Sequence, residues 1–257
     1  MLVLLSNDDG IHAEGLKALA AEIEQIAQVV VVAPDREQSA SSHSLTLHRP
    51  LRIHKFAKDR YAVDGTPTDC VTLAVNKLLG KRRPDLIISG INHGPNMGDD
   101  VMYSGTVAAA FEGYVYGIPS LAVSQLEAAD VDMEKSARFI RRFVEGVPEL
   151  LSTKGLLLNM NIPKPRRGGL RSFRMTRLGR RVYTNVISEK IDPRGRTYYW
   201  IAGKPTWYAD VDTDYAAVRD GVVSVTPLRM DYTHQELLER MKSWKMRKPG
   251  SKRRPPT

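Results

Sequence analysis

The chain has 257 residues, of which 42% are hydrophobic, which is enough to bury the core of one large α/β domain. No apolar run approaches the length of a membrane span, and the first residue leads directly into a predicted strand instead of a signal peptide. A single cysteine, Cys70, excludes a disulfide framework and a cysteine-based metal site within the chain. We therefore expect a cytoplasmic protein with no membrane partner.

The net charge of +9 suggests a nucleic-acid partner, but the distribution of the charge argues against one. Seven positive charges follow Arg240 with no acidic residue among them: Lys242, Lys245, Arg247, Lys248, Lys252, Arg253 and Arg254. We predict one α/β domain over residues 1–247 and a disordered, proline-rich basic tail over 248–257. A second basic stretch at 166–181 has no repeating aromatic platform, so we interpret it as surface that attracts an anionic substrate.

The first half of the chain alternates between short apolar runs and helical patterns. Residues 1–5 predict a buried strand, and residues 14–26 predict a helix with one apolar face. Four further strands are predicted at 29–33, 85–89, 120–124 and 156–159, and three further helices at 67–79, 105–116 and 133–145. Pro67 after Thr66 is typical of a helix start. The alternation predicts a three-layer, Rossmann-like α/β fold, in which a mostly parallel sheet carries helices on both faces.

The pattern changes after about residue 160. Residues 182–191 and 197–201 flank a turn sequence, which predicts an extended β-hairpin over about 182–201. The aromatic residues here predict that the hairpin packs on the core or on a second subunit; they are Tyr183, Tyr198, Tyr199, Trp200 and, just beyond it, Trp207. A short helix (214–220), a strand (222–226) and a terminal helix (233–245) capped by Thr233 complete the prediction.

Three loops rich in oxygen donors follow three predicted parallel strands, at 7–11, 34–47 and 90–106. The carboxyl ends of parallel strands share one edge of a sheet, where α/β proteins bind ligands. Asp8 and Asp9 lie in the first of these loops. Adjacent carboxylates repel each other, so a structure that keeps both ionised usually offers them a cation, although a plain Asp-Gly turn explains them as well. Hard oxygen donors suit Mg²⁺, Mn²⁺ or Ca²⁺.

The third loop leads into a helix that begins Ser104-Gly105-Thr106. Small residues at a helix start expose backbone N–H groups in the positive end of the helix dipole, which favours a phosphate. Ser104 alone is equally explained as an ordinary N-cap. With Asn96 and the acidic residues nearby, phosphate binding is the better interpretation.

Five segments resemble the stationary-phase survival protein family SurE, whose members are metal-dependent nucleotidases. They read SNDDGIHAEGL (6–16), VVAPDREQSASSHSLTL (31–47), GTPTDCV (65–71), SGINHGPNMGDDVMYSGTVAAAFEG (89–113) and DTDYAAVRDGVVSVTPL (212–228). The resemblance covers nearly the whole chain except the basic tail. It implies metal ligation by the two acids of the first motif, a serine of the second and an asparagine of the fourth: Asp8, Asp9, Ser39 and Asn92. Ala40 stands where relatives often have glycine.

The resulting hypothesis is a phosphatase that hydrolyses nucleoside monophosphates at 5′ esters, with 3′ esters and short polyphosphate as further candidate substrates. One divalent cation per subunit, Mg²⁺ or Mn²⁺ with Ca²⁺ as an alternative occupant, would be held by the four ligands. Asn96, Ser104, Gly105 and Thr106 would bind phosphate, and Asp8 or Asp9 would orient the attacking water. The resemblance implies a homodimer or homotetramer that uses the hairpin.

Several alternatives stay open at this point. His12 and His43 either act in catalysis or only form hydrogen bonds within their loops. Asp99 and Asp100 are expected to brace the third loop. A covalent aspartyl-phosphate mechanism is a rival, although its two acids usually stand two residues apart. A non-catalytic nucleotide- or RNA-binding protein, which would use the basic stretch and the tail, is the rival from another class.

Overall fold

The computed structural model describes residues 1–127, 132–164, 169–170, 172–184, 187–201, 204–208 and 210–244. Its strands are β1 (Leu2–Ser6), β2 (Gln28–Pro34), β3 (Ile53–Ala57), β4 (Arg60–Val63), β5 (Leu86–His93), β6 (Ser120–Gln125), β7 (Leu157–Ile162), β8 (Phe173–Met175), β9 (Arg181–Thr184), β10 (Ile187–Ile191), β11 (Thr197–Ile201), β12 (Lys204–Trp207) and β13 (Val223–Pro227). Its α-helices are α1 (Glu14–Ile23), α2 (Pro67–Leu73), α3 (Gly105–Val115), α4 (Met133–Gly146), α5 (Pro148–Leu151), α6 (Asp214–Arg219) and α7 (Gln235–Met241). The bounds of most predicted elements agree with these to within two or three residues.

A nine-stranded sheet in the order β3-β4-β2-β1-β5-β6-β7-β13-β8 forms the centre of the fold. In this order, all neighbours within β4-β2-β1-β5-β6-β7 pair in parallel. At the two ends of this block, β3 pairs antiparallel with β4, and β13 pairs antiparallel with β7. Every residue of β1, β6 and β7 is buried, as expected for strands covered on both faces. The predicted fold class, a mostly parallel sheet in an α/β fold, is confirmed.

Helices cover both faces of this sheet. On one face, α1 and α4 pack through a cluster that includes Leu16, Leu19, Ile140 and Phe143. On the other face, α2 and α3 pack through a second cluster that includes Cys70, which is therefore a buried packing residue. Among the described residues, no helix is long and apolar enough to cross a membrane.

The sequence-based prediction missed four strands, β3, β4, β8 and β12, and misplaced two helix boundaries; β12 lies just beyond the predicted end of the hairpin at 201. Strands β3, β4 and β8 lie at or next to the sheet edges; β3 and β8 are mostly exposed, so they lack the apolar run that identifies a buried strand. The helix predicted over 67–79 is α-helical only to Leu73 and continues as a π-helical turn over Ala74–Leu78. Thr66 does cap α2, since its side chain accepts a hydrogen bond from the N–H of Asp69.

The prediction that Thr233 caps the terminal helix is wrong. The backbone N–H of Thr233 donates to Asp231 Oδ1 at 2.9 Å, which keeps Thr233 in a turn. The helix α7 starts later, and His234 caps it. The Nδ1 atom of His234 accepts a hydrogen bond from the N–H of Leu237 at 3.0 Å. The predicted end at 245 and the tail at 248–257 lie outside the described residues.

The predicted hairpin is present as two antiparallel ladders, β10 with β11 and β9 with β12. The turn between β10 and β11 closes through a hydrogen bond from the N–H of Asp192 to the carbonyl of Arg196 at 2.8 Å. Tyr198, Tyr199 and Trp200 are 42%, 61% and 61% exposed, so the described part of the subunit leaves much of the aromatic surface of the distal hairpin uncovered.

Candidate active site

The three oxygen-rich loops meet at the carboxyl edge of the parallel sheet, after β1, β2 and β5, as predicted. There they line a cleft of about 550 Å³. The predicted residues Asp8, Asp9, Ser39, Asn92, Asn96 and Ser104 all lie in its wall, together with Glu37, His93, Pro95, Asp100 and Tyr103. Three segments far apart in sequence thus converge on one polar depression.

The first loop turns sharply and directs its two acids into the cleft. Buried Asn7 donates from Nδ2 to the carbonyl of Gly10 at 2.9 Å, and the N–H of Ile11 donates to the carbonyl of Pro34 at 2.8 Å. Gly10 has a φ of +96°, which L side chains rarely adopt, and a Cβ there would lie 3.1 Å from the carbonyl carbon of Arg36. The turn needs a glycine at this position.

Asp8 is buried against the start of α3. Its Oδ1 accepts a hydrogen bond from the hydroxyl of Thr106, and its carbonyl accepts one from the N–H of Gln38 at 2.8 Å. Gly105 permits this approach, because a Cβ there would lie 2.9 Å from the Cβ of Asp8 and 2.7 Å from Ser41 Oγ. The predicted phosphate-binding turn and the first acidic loop are therefore in direct contact.

Burial makes both carboxylates of this loop harder to ionise. It raises the pKa of Asp8, partly offset by the hydrogen bond from Thr106. Burial and then repulsion from Asp8 raise the pKa of Asp9 from 3.8 to about 6, although the N–H of His93 donates to Asp9 Oδ2 at 3.3 Å. Negative charge is concentrated here at a free-energy cost that a cation would relieve.

The second loop places Ser39 in the cleft. Its hydroxyl donates to Glu37 Oε1 at 2.6 Å, and the charge of Glu37 also raises the pKa values of Asp8 and Asp9. Ala40 adopts a φ of +56°, the conformation that a glycine would take more readily, so the backbone keeps the left-handed turn without the glycine. Sequence reasoning missed Glu37, although it lies only two residues before Ser39.

The third loop supplies Asn92 and Asn96. Asn92 uses its Nδ2 to donate to the carbonyl of Gly94 at 2.7 Å, which leaves its amide oxygen as the atom suited to a cation. Buried Asn96 is hydrogen-bonded to side chains of β6 and β7. Its Nδ2 donates to Ser124 Oγ at 2.8 Å. Its backbone N–H donates to Asn161 Oδ1 at 2.8 Å, and its carbonyl accepts from Asn159 Nδ2 at 2.8 Å. These supports were not predicted.

At the start of α3, the side chains of the predicted phosphate site have other partners. Ser104 Oγ accepts a hydrogen bond from the N–H of Val107 at 3.1 Å, which is the ordinary N-cap. The hydroxyl of Thr106 is directed at Asp8. The backbone N–H of Thr106 also interacts with the Asp8 carboxylate. Among the described hydrogen bonds, this leaves the N–H of Gly105 as the donor of the first turn that suits a phosphate.

His12 and His43 do not line the cleft. His43 Nε2 lies 2.9 Å from Glu112 Oε2, and Glu112 Oε1 accepts from the hydroxyl of Thr72 at 2.9 Å, which fastens the second loop to α2 and α3. The ring of His12 lies 5.8 Å from the ring of Phe56. Both contacts match the interpretation of these histidines as loop residues.

The prediction that Asp99 and Asp100 brace the third loop is confirmed. Asp100 forms an ion pair with Arg181, and Asp99 Oδ2 accepts from the backbone N–H of Arg181 at 3.2 Å. The guanidinium of Arg181 also lies over the ring of Trp207 at 5.2 Å. One end of the basic stretch at 166–181 is thus bound to the acidic loop; residues 165–168 and 171 lie outside the described residues.

Asp214, another residue that sequence reasoning missed, ties the third loop to the C-terminal part. Its carboxylate is buried and accepts hydrogen bonds from the N–H groups of Gly98 and Gly179, each at 2.8 Å. The adjacent ring of Tyr215 stacks on Trp207 with a centroid distance of 4.6 Å. The loop that carries Asn96 at one end and Ser104 at the other is therefore fixed by residues more than 100 positions away.

Comparison with known proteins identifies the family. The profile of the family "Survival protein SurE" matches residues 3–185. A protein of Anaeromyxobacter sp. (strain Fw109-5), named 5'-nucleotidase SurE, is 51% identical over 99% of both chains. A protein of the same name from Gemmatimonas aurantiaca is 49% identical over 95% of this chain and 98% of its own. The crystal structure of the SurE protein from Aquifex aeolicus covers 94% of this chain and 98% of its own with a TM-score of 0.83 and 42% identity. The chain belongs to the SurE family of survival proteins.

Proposed function

We propose that the chain is a divalent-metal-dependent nucleotidase that hydrolyses nucleoside monophosphates to a nucleoside and phosphate. The observation that carries this proposal is a pair of adjacent carboxylates with raised pKa values, one of which, Asp8, contacts the first turn of α3. That arrangement offers one position for a cation beside another for a phosphate. Relatives that match almost the full chain are named 5'-nucleotidases, which agrees with this chemistry.

The residues around Asp8 fit a hard divalent cation. Among the described residues, no three His, Cys, Asp or Glu side chains form a group that could hold a metal ion. We therefore assign the ligands to two carboxylates completed by neutral oxygens, those of Ser39 and Asn92. All four are oxygen donors, which favour Mg²⁺ or Mn²⁺, with Ca²⁺ as an alternative occupant. When bound, the cation would neutralise phosphate charge and lower the pKa of an attacking water.

The chain's own groups have separable tasks in this proposal. The N–H of Gly105 at the start of α3, with Ser104 and Asn96, holds the phosphate oxygens and stabilises the charge that develops on them, and Thr106 contributes through the positive end of the helix. The Thr106 hydroxyl fixes the carboxylate of Asp8. Asp9 is only half buried, and we assign it the orientation of the attacking water.

Release of inorganic phosphate tests the proposal. Purified protein incubated with AMP should release phosphate when Mn²⁺ or Mg²⁺ is added, should stop in excess EDTA, and should recover when the metal is restored. Titration of metal activation should show one site per subunit. Absence of phosphate release with every divalent metal, across 5′ and 3′ nucleotides and short polyphosphate, would refute the assignment.

The rival functions make different predictions. An aspartyl-phosphate mechanism predicts that a phosphorylated acid can be trapped during turnover, whereas direct attack by water predicts no such species. A nucleic-acid-binding role for the basic stretch would need its arginines, yet Arg177 pairs with Asp210 and Asp212, each at 2.9 Å, and Arg181 pairs with Asp100. These ion pairs favour the nucleotidase over the nucleic-acid-binding protein.

We also propose that the protein is located in the cytoplasm.

A further inference from the structure

The phosphate cleft has a large exposed aromatic side chain at its edge. Tyr103 lines the cleft, and 63% of its surface is exposed. The remaining wall consists mainly of charged and polar side chains that suit a cation and a phosphate. Tyr103 thus gives an otherwise polar wall one aromatic face, which is the kind of surface that stacks on another ring.

The backbone that carries this ring is fixed on both sides. The N–H of Tyr103 donates to the carbonyl of Asp100 at 3.0 Å, and its carbonyl accepts from the N–H of Ser42 at 3.1 Å. The hydroxyl of Ser42 also donates to the neighbouring carbonyl of Met102 at 2.8 Å. The second and third loops thus hold the main chain of Tyr103 in place, while its ring stays accessible.

The position of Tyr103 relative to the phosphate site limits where a nucleoside can lie. Tyr103 directly precedes Ser104, the cap of α3 whose first turn is the proposed phosphate site. Asp8 is 4% exposed, so the proposed cation and the phosphate lie at the inner end of the cleft, whereas Tyr103 lies at its open edge. A phosphate bound at the helix start therefore leaves its nucleoside to extend outward, past the ring of Tyr103.

We propose that Tyr103 is a specificity-determining residue whose ring stacks on the nucleobase of the substrate. This inference rests on the proposed function, and it deepens it by naming how the nucleoside half is recognised. Every base offers a π-face, so a stacking platform tolerates all bases and favours purines over pyrimidines through their larger area. The site would thereby distinguish nucleotides from small aliphatic phosphate esters without selecting one base.

The test compares a substrate that has a base with one that has none. We expect Tyr103→Ala to lower the ratio of kcat/KM for AMP to kcat/KM for glycerol phosphate by between about fivefold and a hundredfold, which corresponds to about 1–3 kcal/mol for one stacked base. The loss should appear mainly in KM and should be smaller for UMP than for AMP. Tyr103→Phe, which keeps the ring, should keep the ratio within about twofold of the wild type.

Met102→Ala is the matched control. Met102 is the neighbouring residue and is 58% exposed, but it does not line the cleft; it lines an adjoining groove along α3 that shares Ser104 with the cleft. Met102→Ala should leave the ratio of kcat/KM for AMP to kcat/KM for glycerol phosphate unchanged. An equal loss on both esters in Tyr103→Ala, or no loss on either, would overturn the stacking role.

Failure of the proposed function gives a distinct result. In that case the wild type hydrolyses neither ester with any divalent metal, and calorimetric titration of AMP then tests Tyr103 alone. Weaker AMP binding in Tyr103→Ala would keep the stacking role without the enzyme, whereas no AMP binding by the wild type would overturn both.

Discussion

Asp8 and Asp9 are neighbours in the chain, but their surroundings differ. Asp8 is 4% exposed and is held by Thr106, so its carboxylate has one fixed orientation. Asp9 is half buried, and the described contact of its side chain is a long hydrogen bond of 3.3 Å from the N–H of His93. One acid is thus preorganised by the fold, while the other can adjust to a ligand.

We expect Asp8→Asn and Asp9→Asn each to abolish turnover while the protein stays folded. The substitutions keep the shape of the side chains but remove the negative charge that would attract a divalent cation. Steady-state phosphate release at saturating Mn²⁺ measures the loss, and circular dichroism checks the fold. Asp35→Asn, a change at an exposed acid of the second loop outside the cleft, serves as the control. Full activity of either cleft variant would contradict the metal assignment.

The raised pKa of Asp9 predicts an effect on stability with a definite sign. The folded pKa is about 6 and the ordinary value is 3.8, so the folded state binds more protons than the unfolded state between these values. Ionised Asp9 therefore destabilises the metal-free protein above pH 6, and the penalty fades as the pH falls toward 3.8.

Asp9→Asn should raise the free energy of unfolding of the metal-free protein by about 1–3 kcal/mol near neutral pH. The gain should shrink on acidification and be absent near pH 3.8. Urea unfolding in EDTA at several pH values measures it, with Asp35→Asn again as the control. A variant that is less stable than the wild type at neutral pH would show that burial does not oppose the charge of Asp9.

At the scale of elements, the base of the hairpin and α6 together fix the third loop. The carboxylate of Asp214 accepts hydrogen bonds from the N–H groups of Gly98 and Gly179. The ring of Trp207 contacts both Tyr215 and Arg181. Burial raises the pKa of Asp214, and the backbone donors partly offset this. The C-terminal part of the chain therefore supports the loop that lines the cleft.

Asp214→Asn should loosen this loop with little change in side-chain shape. An amide nitrogen would face a backbone N–H group in place of a carboxylate oxygen, so we expect a loss of about 1–3 kcal/mol in the free energy of unfolding. We also expect a lower kcat/KM, because Asn96 and Ser104 flank the released segment. Asp220→Asn, at the exposed end of α6, should have much smaller effects. Equal behaviour of the two variants would contradict a special role for Asp214.

At the scale of the whole molecule, the exposed hairpin suggests self-association. Ile191, Tyr199, Trp200 and Ile201 are all more than half exposed, which is an unusual apolar surface for a monomer. Aromatic side chains of this kind are favoured in buried interfaces, and two-fold symmetry is the commonest way to pair identical surfaces.

We therefore expect a homodimer, or a tetramer built from two dimers, held partly by the hairpin. Light scattering at micromolar concentration should give a multiple of the mass of one chain. Tyr198→Asp with Trp200→Asp should dissociate the assembly, while each subunit still binds metal. A species of monomer mass with the hairpin intact would refute this expectation.

The basic tail at 248–257 lies outside the described residues, and its role is tested by deletion. Its proline-rich, basic composition provides little apolar surface for packing. Removal of these residues should leave AMP hydrolysis within about twofold of the full chain. A large loss of turnover would place the tail at the catalytic cleft.

The sequence by itself determined the α/β alternation and, through it, the position of the three loops. Buried parallel strands appear in a sequence as continuous apolar runs, and their carboxyl ends must share an edge. That rule placed the three loops at one cleft, whereas the choice of Ser39 and Asn92 within them came from the resemblance to the SurE family. Strands at the sheet edge, such as β3, have no such signature because one side faces solvent.

Only the tertiary structure decided what supports the cleft. The bonds between Asn96 and Asn161 and between Gly98 and Asp214 join residues 65 and 116 positions apart, and no local pattern marks such pairs. The hydroxyl of Thr106, which the sequence suggested for phosphate, bonds Asp8 instead. A local pattern records which backbone conformation and which buried face a segment prefers. The partner of a polar side chain depends on which distant segments the packing of the sheet and helices brings beside it.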